Sequence, residues 1–186
     1  MFTFGGSEAR ARSAAVLLLA LRGTPFLYAG EELGLENAEI PDDRVVDPGG
    51  RDGCRAPIPW DASAGHGWAG AEPWLPWPPE PDSRCAAAQR SDPASILHLY
   101  RRLLAARRGS DALRLGSLEW IDAPEGVLAW RREQHGDARV IVVNFTEEPR
   151  DVPLMDALRV EIASDGEAEG DRYRGRVGAD QALILA

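Results

Sequence analysis

The sequence predicts an α/β segment followed by an all-β segment, and three observations carry that prediction. A helix that is apolar on nearly every side over residues 14–21 leads into the short apolar run 25–28, bracketed by Gly23-Thr24 and Ala29-Gly30. Helices of that kind are normally buried, and such a run is how a parallel strand covered on both faces reads. After Gly109 the texture changes to short β-prone runs separated by Gly and Asp turns. Between the two lies a long excursion, residues 35–91, rich in Pro, Gly and Trp. A stretch of that length with little regular structure points to a binding loop or lid.

Taken in order, residues 1–6 read as a loop. Ser7 caps a helix over residues 8–22, Glu8 sits well in its first turn, and Gly23 supplies the stop. A strand over residues 25–28 cannot pair alone if it is parallel, so its neighbours are expected from outside the chain. The adjacent Glu31 and Glu32 follow where that strand should end, the position at which α/β barrels place their sites. A second helix is predicted from Asp92, as N-cap with Pro93 at its first turn, to Gly109. Ile96, Leu97, Tyr100, Leu103 and Leu104 share one face, and Arg101, Arg102, Arg107 and Arg108 enrich its C-terminal half, as the helix dipole favours. Strands are predicted at 118–122, 127–132, 139–145, 150–154, 160–163 and 182–185, a spacing that suggests a small antiparallel sandwich. The domains are accordingly 1–110 and 111–186, with the boundary near residues 109–117.

Composition narrows the function. A net charge of −9 leaves no basic excess to neutralise phosphates, and the arginines, which make up all 21 basic residues, are scattered, so nucleic acid is not the expected partner. Cys54 and Cys85 are too few for a disulfide framework or a metal cluster, and a reducing cytoplasm is the expected setting. The apolar run 14–21 follows Arg10 and Arg12, but Glu8, its shortness and the lack of a small-residue cleavage site argue against a signal peptide. It is also shorter than the roughly 20 residues that span a bilayer, so no membrane role is expected. His66, His98 and His135 have no partners at ligand spacing, and Gly5-Gly6 and Gly49-Gly50 lack a phosphate-loop pattern, so neither metal nor cofactor is expected.

The run Gly23-Thr24-Pro25-Phe26-Leu27-Tyr28-Ala29-Gly30-Glu31-Glu32-Leu33-Gly34 resembles the eighth barrel strand of the α-amylase superfamily, glycoside hydrolase family thirteen. Residues 50–61, with Arg51-Asp52, Arg55, Pro57 and Trp60-Asp61, are similar to the RD-x-x-R-x-P-x-x-W-D segment of its α-glucosidase and oligo-1,6-glucosidase members. The pattern Gln89, Asp92, Ser95, Tyr100, Arg107 resembles the eighth helix of α-glucosidases, and Asn144-Phe145 a central strand of their C-terminal domain. The resemblance spans nearly the whole chain but only the last third or so of such an enzyme. It implies the end of a (β/α)8 barrel (helix 7, strand 8, helix 8) followed by a β-sandwich domain, with the remaining N-terminal barrel portion as the missing partner.

Retaining glycosidases need two carboxyl groups about 5–5.5 Å apart. The family carries its Asp nucleophile on strand four, its Glu acid/base on strand five, and a further Asp after strand seven. By resemblance those positions precede Met1, and Phe4-Gly5-Gly6 looks like the sequence just downstream of the last of them. No catalytic residue is therefore expected here, and Glu31 with Glu32 cannot substitute, since neighbours on a strand point to opposite faces. Glu32 matches the Glu of the family's G-x-E motif beside the leaving-sugar subsite, and the resemblance implies that Arg51 or Arg55 approaches it. That pair would either shape the subsite or stitch the excursion to the barrel rim, and the two roles are compatible. Trp60, Trp68, Trp74 and Trp77 suit either sugar stacking or anchoring of the loop. Anchoring is the preferred reading except for Trp60, which falls inside the motif.

Three function classes follow. The first is part of a retaining α-glucosidase-like hydrolase of short α-linked glucosides, inactive alone, with a sucrose or maltose isomerase as its enzymatic alternative. The others are a carbohydrate-binding module and a structural fragment.

Overall fold

A computed structural model describes residues 4–70 and 72–186, so Met1–Thr3 of the expected opening loop lie outside the described residues. The chain forms two compact units, one of residues 27–98 with those up to Glu8, the other of residues 9–26 and 99–186.

The second unit is built on β1 (Glu119–Ile121), β2 (Val127–Gln134), β3 (Asp137–Asn144), β5 (Val160–Ala163) and β7 (Ala182–Leu185). They form one antiparallel sheet in the order β1-β2-β3-β7-β5. Two short strands, β4 (Arg150–Asp151) and β6 (Arg176–Val177), pair separately as a ribbon. Alternation decides the layers, because successive strand residues point to opposite faces. Val127, Ala129, Val140, Val142, Leu183 and Leu185 gather with Val152 and Val177 from the ribbon side into one buried cluster. The intervening Trp130, Ile141 and Ile184 lie in register and are equally buried on the opposite face. The β2–β3 turn is closed by the pair Gln134 and Asp137, with His135 at φ 50° and Gly136 at φ 82°. Two left-handed residues there match the right-handed twist of the flanking strands.

Each predicted β run contains a strand. Two agree end for end, four differ at one or both ends, and β6, two residues long, carries no periodicity to read. The helical reading needs two corrections. Helix α1 runs Glu8–Ala20, but the segment 25–28 carries no strand ladder. Phe26 is 84% exposed, and Leu27 and Tyr28 are exposed as well. An apolar run becomes a buried parallel strand only beside neighbouring strands, and the seven described strands pair among themselves. The second correction concerns Asp92. It does not open a helix; the chain forms a short α2 (Ala86–Ser91), breaks, and resumes as α3 (Ile96–Gly109). Asp92 Oδ1 accepts from the Ala94 N–H at 2.9 Å, while the Ser95 hydroxyl accepts from the His98 N–H at 3.4 Å at the start of α3. Pro93 disfavours helical backbone at Asp92, so the turn comes first and Ser95 takes the capping role. A further helix, α4 (Asp111–Leu115), was not legible as such; Ser110 caps it through the Leu113 N–H at 3.2 Å.

Helix α1 ends on two buried arginines. Arg107 donates to the carbonyls of Leu19 (2.6 Å), Leu21 (3.0 Å) and Gly23, and Arg132 donates to that of Ala20 (2.6 Å). The last carbonyls of a helix have no partner within it and carry partial negative charge. Neither guanidinium meets a carboxylate among its described hydrogen bonds, and burial lowers both pKa values, for Arg132 with added repulsion from Arg107 and Arg22. Arg107 thus serves the end of α1 rather than the dipole of its own helix.

The first unit is mostly loop, and side chains hold it. Gln89, buried in α2, donates to the Leu33 carbonyl at 2.6 Å and accepts from the Leu97 N–H at 3.2 Å. Its own carbonyl takes the Ser95 hydroxyl at 2.8 Å. Arg84 pairs with Glu8 and Glu80 and reaches the Gly34 carbonyl at 3.3 Å. Trp68 donates its indole N–H to the Ile58 carbonyl at 2.8 Å and meets Trp77 edge-on at 6.4 Å, while His66 lies 4.4 Å from Trp77. These two tryptophans anchor the excursion, as their large apolar area suits them to do.

Candidate functional site

The glutamates after residue 28 do not sit on a strand. Glu31–Leu33 form a 3₁₀ turn flanked by Gly30 and Gly34, both in the left-handed region. The carboxylate of Glu32 folds back to accept from the Gly30 N–H at 2.9 Å. Glu31 instead lines a cavity of about 310 Å³ together with Tyr28, Glu36, Asn37, Cys54 and Pro78. The Tyr28 hydroxyl and the Cys54 thiol lie 4.0 Å apart at this cavity.

The Arg-Asp segment opposite is an ion-pair nest. Asp47 is 8% exposed, and its Oδ2 accepts from Arg51 Nε at 2.7 Å while its Oδ1 takes Arg51 Nη2 at 3.2 Å and the Gly49 N–H at 2.9 Å. Arg55 Nη1 lies 3.2 Å from the same Oδ2. Asp52, 3% exposed, accepts from the N–H groups of Val46 (2.8 Å) and Asp47 (2.9 Å), which fixes the backbone from which Asp47 projects. The Arg51 guanidinium and then the Gly49 N–H hold the Asp47 carboxyl down at about 2. Cys54 donates its thiol to the Arg51 carbonyl at 3.1 Å, which ties the nest to the cavity wall.

Among the described residues, neither Arg51 nor Arg55 is within ion-pair distance of Glu32. Both are turned to Asp47, so the ion pair that the resemblance implied is replaced by one inside the loop itself. The physical reason is local: Asp47 stands four residues before Arg51, within side-chain reach, and Glu32 has its own backbone partner. Trp60 is 49% exposed; its backbone N–H binds the His66 carbonyl at 2.9 Å, which leaves the indole accessible. Sequence reasoning did not single out Tyr28, Glu36, Asn37, Asp47 or Asp52. Asp47 had a signal in its spacing to Arg51, and Asp52 lay inside the quoted motif. Tyr28 lay inside the quoted run from Gly23 to Gly34, and Glu36 had no signal beyond proximity to it.

No group of three or more His, Cys, Asp or Glu residues that could hold a metal ion occurs among the described residues. No described helix is long and apolar enough to cross a membrane.

The fold is similar to solved structures of sucrose-converting enzymes. Trehalulose synthase MutB from Pseudomonas mesoacidophila MX-45 superposes with a TM-score of 0.82 at 30% identity, over 95% of this chain and 38% of that one. An isomaltulose synthase from Erwinia rhapontici NX5 gives 0.79 at 28% identity, over 94% and 37%. A probable alpha-glucosidase of Rhizobium meliloti is 39% identical over 151 residues, which are 76% of this chain and 27% of that protein. The oligo-1,6-glucosidase of Parageobacillus thermoglucosidasius is 28% identical over 167 residues, 74% and 30% of the two chains. The chain thus spans about a third of the length of the curated relatives it matches. The model of the alpha amylase catalytic domain matches residues 2–116, more than half of the chain, and the chain therefore belongs to the alpha-amylase family of glycoside hydrolases.

Proposed function

We propose that this chain carries the last part of the barrel and the C-terminal β domain of a retaining α-glucosidase-like hydrolase of short α-linked glucosides. In that reading helix 7, strand 8 and helix 8 of the barrel correspond to α1, residues 25–30 and α3. Residues 31–55 with Trp60 form part of the acceptor side. The observation that carries the proposal is the cavity itself: it opens at the end of residues 25–30 and is walled by the Glu31 turn on one side and the Arg-Asp loop on the other. Hydroxyl-rich ligands suit its carboxylates, amide and phenol. The name of the Rhizobium meliloti relative favours glucoside hydrolysis.

Catalysis itself requires the carboxylate pair that retaining enzymes place about 5–5.5 Å apart, and the reading assigns that pair to the N-terminal barrel portion. The chain alone is expected to leave a p-nitrophenyl α-glucoside intact. Grafted in place of the matching third of an oligo-1,6-glucosidase, it is expected to support cleavage. Turnover by the purified chain, lost in Glu32→Ala, overturns the assignment; an inactive but folded graft overturns the acceptor-side reading. In the active graft, Glu32→Ala is expected to change the linkage or acceptor preference several-fold while aryl-glucoside cleavage changes less. A second reading is sucrose isomerisation, favoured by the likeness to the trehalulose and isomaltulose synthases. Product analysis of the graft on sucrose separates the two, since hydrolysis yields glucose and fructose and isomerisation yields a new disaccharide.

A further inference from the structure

We propose that Asp47 is a positioning residue that sets Arg51 and Arg55 together, so that the two guanidinium groups act as one preset fork on the loop whose Gly53 and Cys54 line the cavity. The inference rests on the acceptor-side reading for its functional consequence, but the positioning itself stands on geometry. Asp47 is buried while its two partners are open to solvent, with side-chain exposures of 64% for Arg51 and 44% for Arg55. The acid therefore cannot be reached by ligand, whereas the arginines can.

Charge decides what the fork does. One carboxylate faces two guanidiniums, and with Asp52 behind it the four charges of the loop cancel, so what the fork offers a ligand is N–H donors rather than net charge. Arg51 uses Nε and Nη2 on Asp47 in a side-on fork, and Arg55 uses only Nη1. The planar guanidinium carries five N–H donors in fixed geometry, so each arginine keeps N–H groups directed away from Asp47. A neutral polyol presents lone pairs that such donors can take, and pre-ordering of long side chains lowers the entropy cost of binding. Asp52 stands one layer further back, because it holds the N–H groups of Val46 and Asp47 and fixes the carboxylate that fixes the arginines. The sequence spaces these groups at 47, 51, 52 and 55, so a nine-residue loop supplies both the fork and its support.

The test uses the full chain and nitrogen-15 spectra of arginine side chains, with isomaltose as the probe. In the unaltered chain the Arg51 Nε–H and Arg55 Nη1–H signals are expected away from the free-arginine position, and both should move on addition of isomaltose. Asp47→Asn should return both to the free position in one step, with backbone amide dispersion elsewhere retained, and weaken isomaltose binding about tenfold. Asp47→Glu, which keeps the charge, should restore part of both effects. Independent behaviour of the two arginine signals in Asp47→Asn, or unchanged signals, overturns the proposal. Should Asp47→Asn lose its amide dispersion, Asp47→Glu decides instead: joint displacement of the two signals supports the fork, and displacement of one alone overturns it. If the arginine signals respond to Asp47 substitution but no isomaltose binding is seen in any variant, the positioning stands and the acceptor-side reading fails.

Discussion

At the scale of single residues, the informative groups are acids bound by backbone or arginine. Asp137 is the clearest in the β unit. Its Oδ2 accepts from the Ser110 hydroxyl at 2.5 Å and the Ala112 N–H at 2.9 Å, and its Oδ1 pairs with Arg139, so a residue at the end of a hairpin steadies the start of α4. The Ser110 bond, more than any other contact, lowers its pKa. A depressed folded-state pKa contributes stability that is present above the unfolded value near 4 and is lost as pH falls through the lower folded value. Asp137→Asn is therefore expected to cost about 1 kcal/mol at neutral pH, in the range of a charge-assisted hydrogen bond partly screened by solvent. The cost should shrink as pH falls below about 4. Urea midpoints of both proteins at pH 7 and pH 3 check this, and a difference that grows on acidification refutes it. None of this was visible in the sequence, since residues 110 and 137 meet only through the fold. Arg51 and Arg55 were legible as a motif, yet their partner was misread because a resemblance names residue types and does not record which acid lies nearer.

At the scale of elements, what was legible followed local period and what was missed depended on contact. The strands β2, β3, β5 and β7 announce themselves by apolar runs between turn residues, and helix α1 by its cap and stop signals. The later start of the predicted second helix was not visible, because Asp92-Pro93 is as good an N-cap signal as it is a turn signal, and Ser95 wins only through its bond to the Gln89 carbonyl. Helix α4 is too short to show periodicity, and it stands because it packs closely on the sheet. Gly116, at its end, shows how closely. A Cβ there would lie 2.4 Å from the Ala112 carbonyl oxygen and 2.8 Å from that of Glu133, both backbone atoms that cannot swing aside. The φ of Gly116 is −59°, so alanine would meet no conformational penalty. Sterics alone set the sign, and Gly116→Ala is expected to destabilise by about 2 kcal/mol, as overpacking does. A thermal melt that is unchanged or raised in this variant would show that α4 can lift from β2 at no cost.

At the scale of the whole molecule, stability should be unevenly distributed, and the division does not follow the order of the chain. Sequence reasoning assigned helix α1 to the same body as residues 25–28, both lacking their covering. The structure distinguishes them by burial. Val16, Leu19 and Ala20 are buried in the unit that holds the sheet, and Arg107 and Arg132 satisfy the carbonyls at the helix end. Six residues further on, Phe26, Leu27 and Tyr28 stand exposed in a row without a ladder. An unpaired apolar segment is a template for association. Backbone exposed in this way opens at almost no free-energy cost, whereas amides buried in a sheet core open only near the global unfolding free energy. Hydrogen exchange is therefore expected to show amides 16–20 protected on the scale of amides 140–144, and amides 26–28 exchanging without measurable protection. Fast exchange in α1 would mean that the two arginines do not hold the helix end. Concentration-dependent self-association is expected as well, and Phe26→Ser with Tyr28→Ser should reduce it while leaving the protection of α1 and the sheet unchanged. An unaltered sedimentation profile in that double variant would place the sticky surface elsewhere, with the exposed Trp74 and Trp60 of the excursion the next to test.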